Sequence, residues 1–299
     1  MTASEPTITI VFHGVRGSYP VPGPTTLVYG GNTTSQEIRV GGRLLIFDAG
    51  TGIIKLGQRL ARPKKPLEFA MFFSHNHHDH TSGLLYFKPA YLKTTKAYIY
   101  GPVDEGGDIL GALSELSNPP AHPVALRNMG MNFTCDNFEN GMAVRWAPGK
   151  KAPELLGKAA RLHAGDVVVK ALRNPKHPAE GVLNFRLEYR GRSYVYATDV
   201  EGDAENGDPL LARFANGADL LAHDGQHDAH EYNERRRGWG HSTPEMAVKT
   251  ARMAGVRKLA IIHHEPAYGD AKLARMERET KKLFQNSFFA REGRKVHIP

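Results

Sequence analysis

The stretch Ser74-His75-Asn76-His77-His78-Asp79-His80 puts four histidines and an acid into six consecutive residues, His75 to His80. It follows the apolar run Leu67–Phe73 (LEFAMFF) and precedes Thr81-Ser82-Gly83-Leu84-Leu85, which has the makings of a helix start. Imidazole and carboxylate are ligands suited to Zn, Mn or Fe. In an extended or turning segment His75 and His77 project to one side and can bind one ion. Asp79 and His80 come a turn later and can reach a second. Two-metal sites hold their ions roughly 3.5–4 Å apart and need a bridging oxygen ligand. His78 is the intervening residue of H-x-H-x-D-H and is read as a non-ligand. Seven residues cannot supply two ions, so the rest of the ligands must come from distant parts of the chain.

That requirement calls for a scaffold with a real core, which the composition allows. Of 299 residues, 40% are hydrophobic and 23% charged, the balance of an ordinary globular protein. No internal repeat, low-complexity tract or long linker divides the chain, so one domain over 1–299 is expected. No apolar run approaches the roughly 18 residues of a membrane span, so no membrane partner is expected. The first residues, MTASEPTITIVFHG, lack a signal-peptide pattern and pass directly into a strand-like run. The one cysteine, Cys135, excludes an internal disulfide and a multi-cysteine metal site, which suits a reducing, cytoplasmic setting. The net charge of +8 has its densest cluster at Glu234-Arg235-Arg236-Arg237. Such a cluster can meet phosphate-bearing partners or can be a solvated loop.

Thr7–Phe12, Ser35–Val40, Arg43–Phe47, Lys96–Tyr100 and Asp166–Leu172 read as strands, and Leu183–Tyr189 with Ser193–Ala197 as a hairpin. Helices are expected at Ile53–Leu60, Leu210–Ala215 and Asp270–Phe284. Another should follow Ser242-Thr243-Pro244-Glu245, which has the form of a capping box with Ser242 as cap. Ala218–Ala222 and Lys258–Ile262 read as further strands. Residues 102–162 yield no functional reading. Strands before helices, twice over, suggest two sheets with helices outside them. Asp48, His75, Asp199, Asp224 and His263 each come just past a predicted strand end, where sites on sheet scaffolds are built.

The ordered set FDAGTG, H-x-H-x-D-H, NPKHPAEGVLNFRLEY, YVYATDVE and LAIIHHEP resembles that of the metallo-β-lactamase fold hydrolases. GVRGSYPVPGP with YGGNTTS, and GWGHSTPEMA, narrow the resemblance to the phosphodiesterase branch. That branch includes ribonuclease Z, cyclic-nucleotide phosphodiesterases and a phosphonate-pathway phosphodiesterase. The resemblance implies an α/β fold, a four-layer αββα sandwich of two mixed β-sheets. It implies two divalent metal ions, with Zn the first expectation and Mn or Fe the others. One would be held by His75, His77 and His177 and the other by Asp79, His80 and His263, with Asp199 bridging. His163 competes with His177 for its place, and His264 with His263. By the same resemblance, Asp48 supports the histidine loop without binding metal, and His241 acts on the phosphate or leaving group. Asp79 can orient the nucleophile and Asp224 can orient His241. Arg16 and Asn32 lie in loops that can line the site. A homodimer is expected by analogy with the branch.

The expected reaction is phosphodiester hydrolysis. Ribonuclease Z relatives place a long basic arm between the counterparts of His177 and Asp199, where this chain has only a hairpin. A small diester such as a cyclic nucleotide is therefore the first expectation. The arginine cluster keeps nucleic acid as the alternative, and lactone or thioester hydrolysis remains open because the same metal core supports it.

Overall fold

In Arg43–Phe47, Leu45 and Phe47 point to one face of a strand and Leu44 and Ile46 to the other, and all four are buried. Leu67–Phe72 repeats the arrangement, with Ala70 and Phe72 on one face and Phe69 and Met71 on the other. A strand buried on both faces belongs to the middle of a layered structure. The computed structural model describes residues 7–61, 66–104, 107–158, 161–178 and 181–299. The strands in chain order begin with β1 (Ile8–Gly14), β2 (Ser35–Val40), β3 (Arg43–Phe47), β4 (Leu67–Phe72), β5 (Thr95–Gly101), β6 (Asn132–Asn137) and β7 (Ala143–Trp146). They continue with β8 (Glu154–Leu156), β9 (Val167–Asn174), β10 (Val182–Tyr189), β11 (Arg192–Ala197), β12 (Leu220–Asp224), β13 (Leu259–Ile262), β14 (Ser287–Phe289) and β15 (Lys295–Ile298). The helices are α1 (Ile53–Leu60), α2 (His78–Thr81), α3 (Ile109–Leu116), α4 (Pro209–Phe214), α5 (Ala229–Glu231), α6 (Pro244–Met253) and α7 (Asp270–Leu283).

Among the described residues the strands form two mixed sheets, ordered β15-β1-β2-β3-β4-β5-β6 and β14-β13-β12-β11-β10-β9-β7-β8. Between them lies an aromatic core, with Phe185 of β10 within 5.1 Å of Phe47 and 5.7 Å of Phe72, centroid to centroid. Ile53 and Leu56 of α1 and Ile109 and Leu113 of α3 cover the outer face of the first sheet. Leu211 of α4, Ala247 and Ala251 of α6 and Leu273 of α7 cover that of the second. The expected αββα sandwich is therefore the fold. Phe185→Ala is expected to cost about 3–5 kcal/mol, read by chemical or thermal unfolding, because the surrounding rings cannot collapse into the space.

Away from the strand ends, β2 and α1 share an ion cluster centred on the buried Glu37. Glu37 accepts hydrogen bonds from His13 and Arg39, each at 2.9 Å, and also pairs with Arg59 of α1. Burial pushes its pKa up, but the hydrogen bonds and the charges of Arg39 and Arg59 outweigh it and bring the value from 4.5 to about 2. A carboxylate depressed in this way stabilises the fold above its unfolded pKa, and that contribution is lost as pH falls through the folded one. Glu37→Gln should therefore flatten the loss of thermal stability between about pH 4.5 and 2. An acid titration of Tm checks this.

Two sequence expectations change in detail. The residue capping α6 is Thr243, whose Oγ1 accepts from the Met246 N–H, and not Ser242. Ser242 Oγ instead accepts from Gly202 N at 2.9 Å and donates to Val200 O at 2.6 Å, tying two loops together. Residues 102–162 contribute α3, β6, β7 and β8, and the chain crosses from one sheet to the other between β6 and β7.

Candidate metal centre

β3 and β4 are parallel neighbours, as are β11, β12 and β13, so each sheet gathers several carboxyl ends along one edge. Five of those ends lead into the candidate residues. At Asp48, Asp199 and His263 the backbone enters the left-handed region, with φ of 58°, 53° and 61°. Asp and His tolerate that conformation better than most residues, and such strained positions concentrate at functional sites. The turns aim these side chains back across the strand ends.

Two sets of ligand atoms converge there. In the first, His75, His77 and His177 bring ring nitrogens within 4.8 Å of one another, and His77 Nδ1 stands 3.5 Å from His177 Nε2. In the second, Asp79, His80, Asp199 and His263 do the same. Asp199 touches both sets. Its Oδ1 is 3.7 Å from His75 Nε2, and its Oδ2 is 3.2 Å from the Nε2 atoms of both His80 and His263.

The surroundings orient these ligands. Buried Asp48 accepts the Ser74 N–H on Oδ1 at 2.8 Å; on Oδ2 it accepts the Ser74 hydroxyl (2.8 Å), His80 Nδ1–H (2.8 Å) and the Tyr196 hydroxyl (2.6 Å). Because Ser74 Oγ donates to Asp48, it must accept from His75 Nδ1–H, 3.1 Å away. One carboxylate thus sets both rings with Nε2 facing the gap, the arrangement by which outer groups fix a metal-binding histidine. His263 is set in the same way by Nδ1–H donation to Gln226 Oε1 at 3.1 Å.

The donor set suits divalent cations. His75 Nε2 is buried and has no hydrogen-bond partner among the described residues. Burial, with the neighbouring His80, pushes the His75 imidazole well below its usual pKa, which keeps it neutral. Around His80 burial also opposes charge, yet Asp79, Asp199 and Asp48 hold its imidazole well above the usual range. These carboxylates call for positive charge at that spot.

His241 stands beside this centre, 5.0 Å from His263 and 5.6 Å from His177 between ring centroids. Its Nδ1–H donates to Asp224 Oδ2 at 2.9 Å, which leaves Nε2 as its other functional atom. Burial lowers its pKa, but Asp224 by charge and hydrogen bond, with Asp199 and Asp79, raises it to about 9. Asp224 is itself held by the N–H groups of Asp199, Gln226 and Ser242. His241 also falls within ligand distance of two further groupings, with His177 and Asp199 and with Asp224 and His263.

Backbone approaches closely at two glycines. A Cβ on Gly17 would lie 2.3 Å from the His263 ring, and one on Gly240, at φ 88°, would lie 2.4 Å from His177 Nδ1. Gly17→Ala should therefore displace His263 and weaken metal binding about 10–100-fold, as changes just outside a ligand shell do. Competition with a metal indicator measures this.

The other sequence candidates fall elsewhere. His78 is exposed and outside both ligand sets. His264 donates Nε2–H to Ala290 O at 2.9 Å and stacks on Phe289. His163 is exposed in the loop before β9. Arg16 does not line the site. It is fully buried and donates to the carbonyls of Gly30, Glu265 and Tyr268. Asn32 likewise binds Glu292. Sequence reasoning missed Ser74, Tyr196, Gln226 and the Ser18 N–H, which donates to Asp79 Oδ2 at 2.8 Å. Only Ser74, next to the motif, carried a local signal.

A family model described as a beta-lactamase superfamily domain matches residues 43–264. The chain belongs to the metallo-β-lactamase superfamily, a class of metal-dependent hydrolases. It is 26% identical to ribonuclease Z of Picrophilus torridus, covering 96% of this chain and 94% of the relative. For ribonuclease Z of Methanosarcina acetivorans the figures are 28%, 97% and 98%. Among solved structures, the metallo-beta-lactamase fold protein YhfI from Bacillus subtilis superposes with a TM-score of 0.66 at 19% identity, over 97% of this chain and 98% of that one. The short form of human tRNase Z gives 0.63 at 18%, over 97% and 99%. Both show the shared fold. No helix among the described residues is long and apolar enough to cross a membrane.

Proposed function

We propose that this protein is a binuclear-metal phosphodiesterase. His75, His77 and His177 would hold one divalent ion and Asp79, His80 and His263 the other, with Asp199 shared. The carrying observation is the division of Asp199, one oxygen toward each ligand set. Zn is the first candidate metal, since imidazole and carboxylate are its common ligands. Divalent ions at such a site lower the pKa of bound water and clamp phosphoryl oxygens. The chain's own groups do the rest. The Ser18 N–H holds Asp79 Oδ2 in place beside the nucleophile's position. Asp224 fixes His241 through Nδ1, and His241 Nε2–H then protonates the leaving oxygen or stabilises its developing charge.

RNA is the favoured substrate, since ribonuclease Z relatives align along nearly the whole chain. A small diester such as a cyclic nucleotide is the second reading. It is supported by the tight β10–β11 hairpin, which pairs Tyr189 directly with Arg192 and leaves no room there for a substrate-gripping arm. The test is a panel of an RNA oligonucleotide, a cyclic nucleotide, bis-p-nitrophenyl phosphate, a lactone and a thioester, run with Zn and with Mn. Turnover confined to phosphodiesters is expected, and turnover confined to the carbonyl substrates would overturn the proposal.

A further inference from the structure

Beside the metal centre runs an open groove of about 520 Å³, lined among others by His177, Lys176, Glu201, Arg237, Gly238 and Gly240. Its carboxylates are engaged by the protein. Glu201 Oε1 accepts from the Tyr232 hydroxyl and the Gly238 N–H, each at 2.7 Å, and Oε2 accepts from the Gly240 N–H at 2.8 Å. Asp203, also at the groove, accepts from the N–H groups of Glu205 and Asn206. Among the described residues the Lys176 ammonium makes no hydrogen bond or close ion pair, although its charge acts on Asp203, and the Arg237 guanidinium lies 5.8 Å over the Tyr232 ring and 3.4 Å from Asn233. The groove therefore presents cationic donors to whatever enters it.

Trp239 lies between the two glycines that Glu201 pins, and is 55% exposed. An exposed tryptophan is usually loosely held; this one is braced. Arg236 stacks on one face at 4.5 Å, and Arg236 is itself held by Glu231 through Nε (3.2 Å) and Nη2 (3.1 Å). The next residue, Gly240, places its carbonyl 3.4 Å from His177 Nδ1, so the loop carrying the indole also sets a ligand histidine. A braced, exposed indole is thus carried on the loop that reaches His177, and Lys176 and Arg237 line the groove beside the same residue.

We propose that this groove and the loop at its rim form a nucleotide subsite, in which the base next to the scissile phosphate stacks on the open face of Trp239, carried between the lining residues Gly238 and Gly240, and a neighbouring phosphate meets Lys176 and Arg237. This rests on the phosphodiesterase reading above and specifies which diesters it prefers. Base–aromatic stacking tolerates any base, and a point charge on a flexible stem suits a backbone phosphate. The same chemistry serves a nucleoside diester and a single-stranded oligonucleotide.

The test compares two esters that release the same p-nitrophenol, thymidine 5′-(p-nitrophenyl phosphate) and methyl p-nitrophenyl phosphate, with metal-loaded enzyme. Wild type is expected to favour the nucleoside ester. Trp239→Ala should reduce that preference, as the ratio of kcat/KM values, by about tenfold or more, chiefly through KM. Trp239→Phe, which keeps a stacking ring, should retain most of it. An oligouridylate separates the two sources of the ligand. If it is a substrate, Lys176→Ala should reduce the slope of log KM against log salt by about 0.7. Oligouridylate binding with an unchanged salt slope overturns the role given to Lys176. Phosphodiester turnover with an unchanged preference in Trp239→Ala overturns the subsite while leaving the phosphodiesterase reading intact. Absence of all phosphodiester turnover overturns that reading and the subsite with it.

Discussion

Asp199→Asn is expected to reduce phosphodiester turnover by about a thousandfold or more and to lower the metal bound per chain. Asparagine has nearly the same shape and tolerates the φ of 53° at this position, so the turn after β11 should keep its course. What changes is one oxygen and the negative charge. Asp199 faces His75 through Oδ1 and His80 and His263 through Oδ2. An amide nitrogen on either side offers hydrogen atoms where a ligand atom is needed. Losing that shared contact removes several kcal/mol of transition-state charge stabilisation, and about 1.4 kcal/mol corresponds to each factor of ten. Metal analysis beside a kinetic assay measures both effects. Full metal content with full activity would show that Asp199 bridges nothing.

His241→Ala should have the second largest effect, and a different signature. Turnover should fall about 10²–10⁴-fold, the range for losing a positioned acid or base, while metal content stays near that of the wild type. The difference follows from the hydrogen bond between His241 Nδ1 and Asp224 Oδ2 at 2.9 Å, which commits one ring nitrogen to orientation. His241 also lies within ligand distance of His177 and Asp199, so loss of metal in this variant would identify it as a ligand instead. Asp224→Asn should act in the same direction and more weakly, since it leaves the imidazole present but less firmly oriented and less readily protonated.

Much of the candidate centre was legible because several of its residues lie where strands end. The change from apolar alternation to His or Asp is a local signal, and it marks Asp48, Asp224 and His263 without reference to the rest of the chain. Helix α1 was also local, with its amphipathic spacing over Ile53–Leu60. Choosing between His177 and His163, or His263 and His264, was not local. In each case tertiary packing decides: His264 turns toward Ala290 and Phe289, and His163 remains exposed before β9. Arg16 shows the opposite error. A glycine-rich loop with an arginine suggested a group facing the site, whereas the guanidinium is buried and fastens three backbone carbonyls. The strands β14 and β15 were missed because each is only three or four residues long and takes its place from partners far away in sequence, β13 and β1. Trp239 gave no periodic signal. Its significance comes from Glu201, Glu231 and His177, which reach its loop from elsewhere in sequence.

The most direct measurement of the binuclear proposal is phosphodiester turnover during stepwise metal reconstitution of stripped protein. If Asp199 joins two ligand sets into one working centre, activity should stay low through the first equivalent of divalent ion and rise as the second binds. Full activity at one equivalent, or none after two have bound, would contradict it.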